Sequence, residues 1–126
     1  MDKTIINTTT APAPIGPYSQ AVKANGMLFV SGQIPIIPAT GELETGGIQA
    51  EAEQVMKNLQ AILAEAGADF SNVVKTSIFL ADMNDFVQVN EIYGKYFDDD
   101  APARETVAVR TLPKNVNVEI SCIAAL

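Results

Sequence analysis

One amphipathic stretch in the middle of the chain narrows the fold more than any other feature. From Ile48 the apolar residues Ile48, Ala52, Val55, Met56, Leu59, Ile62, Leu63 and Ala66 recur at the three- and four-residue spacing of one helical face, and Gly67 follows as a C-terminal stop. Its neighbours have a different rhythm. Between Tyr18 and Ile34, two runs of β-favouring residues flank Asn25-Gly26, the dipeptide that suits a two-residue type I′ hairpin. Pro35 to Gly47 lacks periodicity and reads as a surface loop. Val73 to Leu80 is short and β-branched and predicts a strand. Asp82 or Asn84 then caps a second helix carrying Phe86, Val89, Asn90, Tyr93 and Phe97, and Asp98-Asp99-Asp100 forms a solvated loop.

The last third alternates again over Arg104 to Leu112 and Val116 to Ala124, around a turn at Pro113-Lys114-Asn115. With a short first strand near Thr4 to Asn7, the predicted order is β-β-β-α-β-α-β-β. That order implies an α+β sandwich, one mixed six-stranded sheet with both helices on one face. Two helices cover only that face, so another subunit is the expected cover for the other if it is partly apolar. The length of 126 residues fits one domain spanning 1–126.

Several chemistries drop out on residue type. There is no histidine and only one cysteine, Cys122, so a disulfide within the chain, a His- or Cys-based metal site and a Ser-His-Asp or Cys-His centre are not expected. The glycines form neither a GxGxxG fingerprint nor a P-loop, and no cofactor is indicated. A net charge of −7 argues against nucleic acid or anionic lipid as a partner. No apolar run reaches the roughly 20 residues of a membrane span, and the N-terminus turns polar too early for a signal peptide, so a cytoplasmic location is expected.

Both arginines of the chain, Arg104 and Arg110, fall in the penultimate strand segment. Alternation puts Val107 and Val109 on one face and Arg104, Thr106, Ala108 and Arg110 on the other, while Val116, Val118, Ile120 and Cys122 oppose Asn117, Glu119 and Ser121. If these two strands pair as a hairpin with their valine faces against the helices, Arg104, Thr106, Asn117 and Glu119 project together from the opposite face. A guanidinium fork beside a carboxylate suits a small anionic substrate that needs proton transfer. A surface ion pair between Arg104 and Glu119 accounts for the same pattern without catalysis. Tyr18 and Tyr93 read equally as core or interface aromatics, and Cys122 as a small buried hydrophobe.

The blocks Ala11-Pro12-Ala13-Pro14-Ile15-Gly16-Pro17-Tyr18-Ser19-Gln20 and Val30-Ser31-Gly32-Gln33-Ile34-Pro35 resemble the amino-terminal half of RidA/YjgF proteins. Asn90-Glu91-Ile92-Tyr93, Pro102-Ala103-Arg104 and Leu112-Pro113-Lys114 through Val118-Glu119-Ile120 extend the resemblance along the whole chain. It implies a chorismate-mutase-like sandwich that forms homotrimers with ligand clefts between subunits. The implied activity is hydrolytic deamination of 2-aminoacrylate, 2-aminocrotonate and their 2-imino acid tautomers to 2-keto acids and ammonia. By resemblance, Arg104 grips the substrate carboxylate and Glu119 activates water, with Tyr18, Ser31, Gly32, Asn90, Tyr93 and Thr106 lining the pocket. Glu105 departs from the small or apolar residue usual after the pocket arginine, and strand alternation points it away from Arg104. The alternatives are a trimeric keto-acid-binding or regulatory protein without turnover and, more remotely, a chaperone-like surface protein.

Overall fold

In the computed structural model, which describes residues 2–126, eight regular elements build two layers. The strands are β1 (Thr4–Ile6), β2 (Ala21–Ala24), β3 (Met27–Gln33), β4 (Val73–Leu80), β5 (Ala103–Ala108) and β6 (Val118–Ala125). The helices are α1 (Ile48–Glu65) and α2 (Phe86–Gly94). All six strands join one sheet in the order β1-β2-β3-β6-β4-β5, antiparallel except for the parallel pair β4 and β5. The result is the expected α+β sandwich.

Local chemistry explains the main turns. Asn25 and Gly26 both take positive φ, 52° and 73°, the signature of a type I′ turn, and Met27 pairs with Ala24 across it. Gly67, at φ 78°, ends α1. The Asp82 carboxylate accepts the Asn84 N–H at 2.9 Å and caps a short 3₁₀ turn, Met83–Asp85, that leads into α2.

The core lies between the helices and one face of the sheet. Leu28, Val55, Met56, Leu59, Ile62, Leu63, Ile78, Leu80, Val118 and Ile120 are essentially inaccessible. Each large aliphatic side chain there stabilises the fold by about 1.5–3 kcal/mol. Two buried amides staple the irregular segments to this core. The Gln20 side chain donates to the carbonyls of Thr8, Ala11 and Pro12 and accepts from the Thr8 N–H. Asn58 on α1 donates to the carbonyls of Ile34 and Ile36. No helix among the described residues is long and apolar enough to cross a membrane.

The last two strands do not form a hairpin. β6 lies between β3 and β4, and β5 is an edge strand that joins β4 in parallel after the α2 crossover. The connection after β5 wraps the end of β4: the Val109 N–H donates to Leu80 O at 2.8 Å and the Ala81 N–H to Asn117 O at 3.1 Å. Lys114 and Asn115 both adopt left-handed backbone there, so Pro113–Asn115 redirects the chain instead of reversing it. The penultimate strand therefore ends at Ala108, and Arg110 lies beyond it in the connection.

This register also reverses the expected facing of β5. Arg104 is opposite Thr76 and Thr106 opposite Ile78, both on the helix side, whereas Val107 is opposite Phe79 on the open face. Glu119 is likewise opposite Phe79, so it shares the open face with Val107 and not with Arg104. The alternation of Val116, Val118, Ile120 and Cys122 holds as expected; Val118, Ile120 and Cys122 are buried against the helices. Hydrophobicity misleads in β5 because the helical layer hardly reaches this edge. The open face is itself apolar in part, with Ile5, Phe29 and Val107 each 42–50% exposed.

Candidate functional site

The candidate residues fall into two clefts on opposite sides of the sheet. The first, of about 480 Å³, lies where β3 meets the Pro12–Tyr18 segment and the 113–115 turn; Tyr18, Ser31, Gly32, Lys114 and Glu119 line it. Its geometry begins with a β-bulge: Val30 pairs with Cys122 and Gln33 with Ile120, so Ser31 and Gly32 are displaced from the regular ladder. Ser31 is fixed by its backbone N–H to Gln20 O at 2.9 Å and by its Oγ donating to Ser19 O at 2.6 Å.

Gly32 leaves the space that Glu119 occupies. A Cβ at position 32 would lie 2.9 Å from Glu119 Cδ and collide with Oε2. The Glu119 carboxyl is half-buried, and that desolvation raises its pKa above the usual range for a glutamate. Such a group exchanges protons near neutral pH more readily than a fully solvated carboxylate. Tyr18, 53% exposed, stands at the rim and is not part of the core.

The second cleft, of about 470 Å³, is lined by Asn90, Tyr93, Gly94, Phe97, Pro102 and Arg104 among others. Arg104 leaves the β5 edge toward α2. Its Nη1 donates to Asn90 Oδ1 at 2.7 Å, and its Cζ stands 5.0 Å from the ring centre of Tyr93 and 5.5 Å from that of Phe86. The Tyr93 hydroxyl shares a 2.7 Å hydrogen bond with the buried Thr76 Oγ1, and its pKa is raised chiefly by burial. Thr106 sits two residues along the same face of β5, its Oγ1 buried without a hydrogen-bond partner among the described residues.

A single chain thus brings Tyr18, Ser31, Gly32 and Glu119 together, and separately Asn90, Tyr93 and Arg104 with Thr106 nearby; it does not unite the two groups. The convergence of Arg104, Thr106, Asn117 and Glu119 on one face is corrected by the β5 register. Asn117 is instead engaged with the buried Glu51 carboxylate, donating from Nδ2 at 2.8 Å. Within one chain, an ion pair between Arg104 and Glu119 is excluded for the same reason. Glu105 points away from Arg104, as alternation requires. It pairs with Lys75 Nζ at 3.0 Å, and hydrogen bonds from Ser77 first and Lys75 second hold its carboxyl below the usual range.

Sequence reasoning missed Phe86 and Gln20 as contributors. Phe86 precedes Asn90 by four residues and Tyr93 by seven, so helical spacing already put all three on one stripe. Gln20 gave no signal beyond its neighbourhood, because its role depends on the path of residues 8–12 over it.

The chain is similar to known proteins in sequence and in fold. The family model described as Endoribonuclease L-PSP matches residues 8–126. A mouse protein named 2-iminobutanoate/2-iminopropanoate deaminase is 53% identical over 120 residues, covering 95% of this chain and 89% of its own length. Reactive Intermediate Deaminase A, chloroplastic, of Arabidopsis thaliana is 52% identical, covering 98% of this chain and 66% of its own length. A Yersinia pestis crystal structure, described as a member of the conserved Rid protein family, superposes with a TM-score of 0.95 at 48% identity, covering 99% of this chain and 100% of its own.

Proposed function

Because the chain belongs to the Endoribonuclease L-PSP family, we infer that it is a deaminase of reactive enamines and imines, converting 2-iminobutanoate and 2-iminopropanoate to 2-keto acids and ammonia. The residue roles proposed here rest on one observation. Arg104, a cation, and Glu119, a half-buried acid, are the groups suited to the two functions the reaction needs, and they lie on opposite faces of one sheet. A working site then takes the Arg104 cleft from one protomer and the Glu119 cleft from the next. A homotrimer closes such head-to-tail contacts into a ring. The partly apolar open face, with Ile5, Phe29 and Val107 exposed, supports subunit contact.

In this site the Arg104 guanidinium binds the substrate carboxylate, replacing the repulsion of an acidic chain with a local cation. Glu119 takes a proton from water as its oxygen bonds to the imine carbon, and returns a proton to the nitrogen. The tetrahedral intermediate then collapses to the keto acid: its hydroxyl proton passes by way of Glu119 to the nitrogen as the carbon–nitrogen bond breaks and ammonia leaves. For an enamine, the same carboxyl in its protonated form delivers its proton to C3 and takes one back from the nitrogen, which gives the imine. Tyr18, Ser31, Gly32 and Thr106 complete the walls. The Thr106 hydroxyl is buried and has no hydrogen-bond partner among the described residues.

The net charge of −7 supports the further proposal that nucleic acid is not a substrate, despite the nuclease description of the family. A cytoplasmic setting belongs to the same proposal. The test is a dehydratase-coupled assay in which imine forms continuously from serine or threonine. Keto acid should appear faster with the protein than with buffer, and an unchanged rate would refute the activity.

A further inference from the structure

The Arg104 guanidinium is held on three sides before any substrate arrives. Asn90 Oδ1 takes one of its five N–H groups at 2.7 Å, through Nη1. The rings of Phe86 and Tyr93 lie 5.5 and 5.0 Å from Cζ, within the range at which a cation is attracted to an aromatic face. All three belong to α2, at positions i, i+4 and i+7, and the helix itself is anchored. Tyr93 is tied to the sheet through Thr76, and the first turn leads out of the Asp82-capped segment that ends at Phe86.

Building on the carboxylate-binding role given to Arg104 above, we propose that α2 is a positioning platform for the deamination site. Phe86 and Asn90 act on substrate through Arg104, and Asn90 is not itself a substrate ligand. An arginine at an exposed strand edge otherwise samples many rotamers, and ordering it at the moment of binding weakens affinity. Here the Asn90 hydrogen bond and the two ring contacts already hold it in the free protein. The Asn90 contact occupies Nη1 and leaves the Nε–Nη2 edge, with its two parallel N–H groups, for a bidentate carboxylate. Phe86 keeps the guanidinium plane from swinging out of the cleft. The Tyr93 hydroxyl is committed to Thr76, so Tyr93 contributes its ring and not an acid.

The platform predicts selectivity for charge over shape, and paired ligands read that directly. Affinities of 2-oxobutanoate and of its neutral amide, 2-oxobutanamide, are measured by calorimetry on the full-length protein and on Phe86→Leu, Phe86→Trp, Asn90→Ala and Arg104→Ala, each checked for fold by circular dichroism. Wild type should prefer the carboxylate, and Arg104→Ala should lose that preference. Phe86→Leu should weaken carboxylate binding about 2- to 5-fold, the effect of one exposed cation–π contact, with amide binding unchanged. Asn90→Ala should weaken it in the same selective way, whereas Phe86→Trp restores it. In turnover, Phe86→Leu should raise KM more than it lowers kcat. Equal weakening of both ligands by Phe86→Leu and Asn90→Ala, or of neither, would overturn the platform while leaving Arg104 as the clamp. A carboxylate preference that survives Arg104→Ala would remove the clamp itself.

Discussion

A methyl group at position 32 would enter space held by the Glu119 side chain: the new Cβ would lie 2.9 Å from Cδ and 3.1 Å from Cγ, and would overlap Oε2. Carbon atoms rest about 3.5–4.0 Å apart, so in Gly32→Ala the carboxyl must retreat by roughly 0.5–1 Å. The backbone at Gly32 is not left-handed, and alanine adopts it without strain. Restricting the unfolded chain favours the alanine form by about 0.4–1 kcal/mol, which offsets much of the cost of shifting one flexible side chain. Stability should therefore change by less than about 1 kcal/mol, a shift in Tm of only a few degrees for a chain of this size. Turnover should suffer far more, because a misplacement of about 1 Å costs on the order of 100-fold. The measurements are kcat in the dehydratase-coupled assay and Tm by circular dichroism. Glu119→Asp, one methylene shorter, should recover part of the activity in the Gly32→Ala background although it impairs the wild type, a coupling that a double-mutant cycle detects. Near-wild-type kcat in a folded Gly32→Ala protein would refute the placement of Glu119 as the proton-transfer group.

Glu119→Gln should lose turnover and keep ligand binding. Burial holds the folded pKa of this carboxyl above its unfolded value, so its contribution to stability is full below the unfolded pKa and is lost as pH rises through the folded one. The variant should then melt above wild type near neutral pH, with the difference vanishing in acid; a gap that widens in acid would contradict the sign. Arg104→Lys keeps the charge without the fork and should lower kcat/KM by about 10- to 150-fold, the worth of a charged hydrogen bond of about 1.5–3 kcal/mol. Cys122 is buried, which pushes its thiol up to about 12, so a disulfide reagent in mildly alkaline buffer should label it only after unfolding. Gln20→Leu removes the staple on residues 8–12 and should cost on the order of 2–3 kcal/mol in urea denaturation, with faster proteolysis of the N-terminal segment.

What the sequence revealed and what it concealed divide along one line, local periodicity against long-range pairing. The α1 stripe, the Asn25-Gly26 turn and the buried face of Val118, Ile120 and Cys122 were legible because each depends on residues a few positions apart. The partner of β5 was not. Its pairing is set by the α2 crossover and by the insertion of β6 between β3 and β4, neither of which leaves a mark on the alternation of residues 104–109. Taking the valine face of β5 as the inward one then put Arg104 on the wrong side of the sheet. The candidate residues themselves were legible from motif resemblance, and their division into two clefts was visible only in three dimensions. Phe86 was within reach of the helical pattern, whereas the fit of Gly32 against Glu119 needed the bulge in β3.

The central claim is that Arg104 of one protomer works with Glu119 of another, and subunit complementation tests it most directly. Arg104→Ala and Glu119→Gln proteins, each expected to be inactive alone, are unfolded together in equal amounts and refolded as mixed oligomers. A site needs its arginine from a Glu119→Gln protomer and its glutamate from an Arg104→Ala protomer, so random assembly of head-to-tail trimers should restore about one quarter of wild-type activity. Mixed oligomers that stay inactive, with exchange verified by mass spectrometry, would mean that both groups must come from the same chain and would contradict the account.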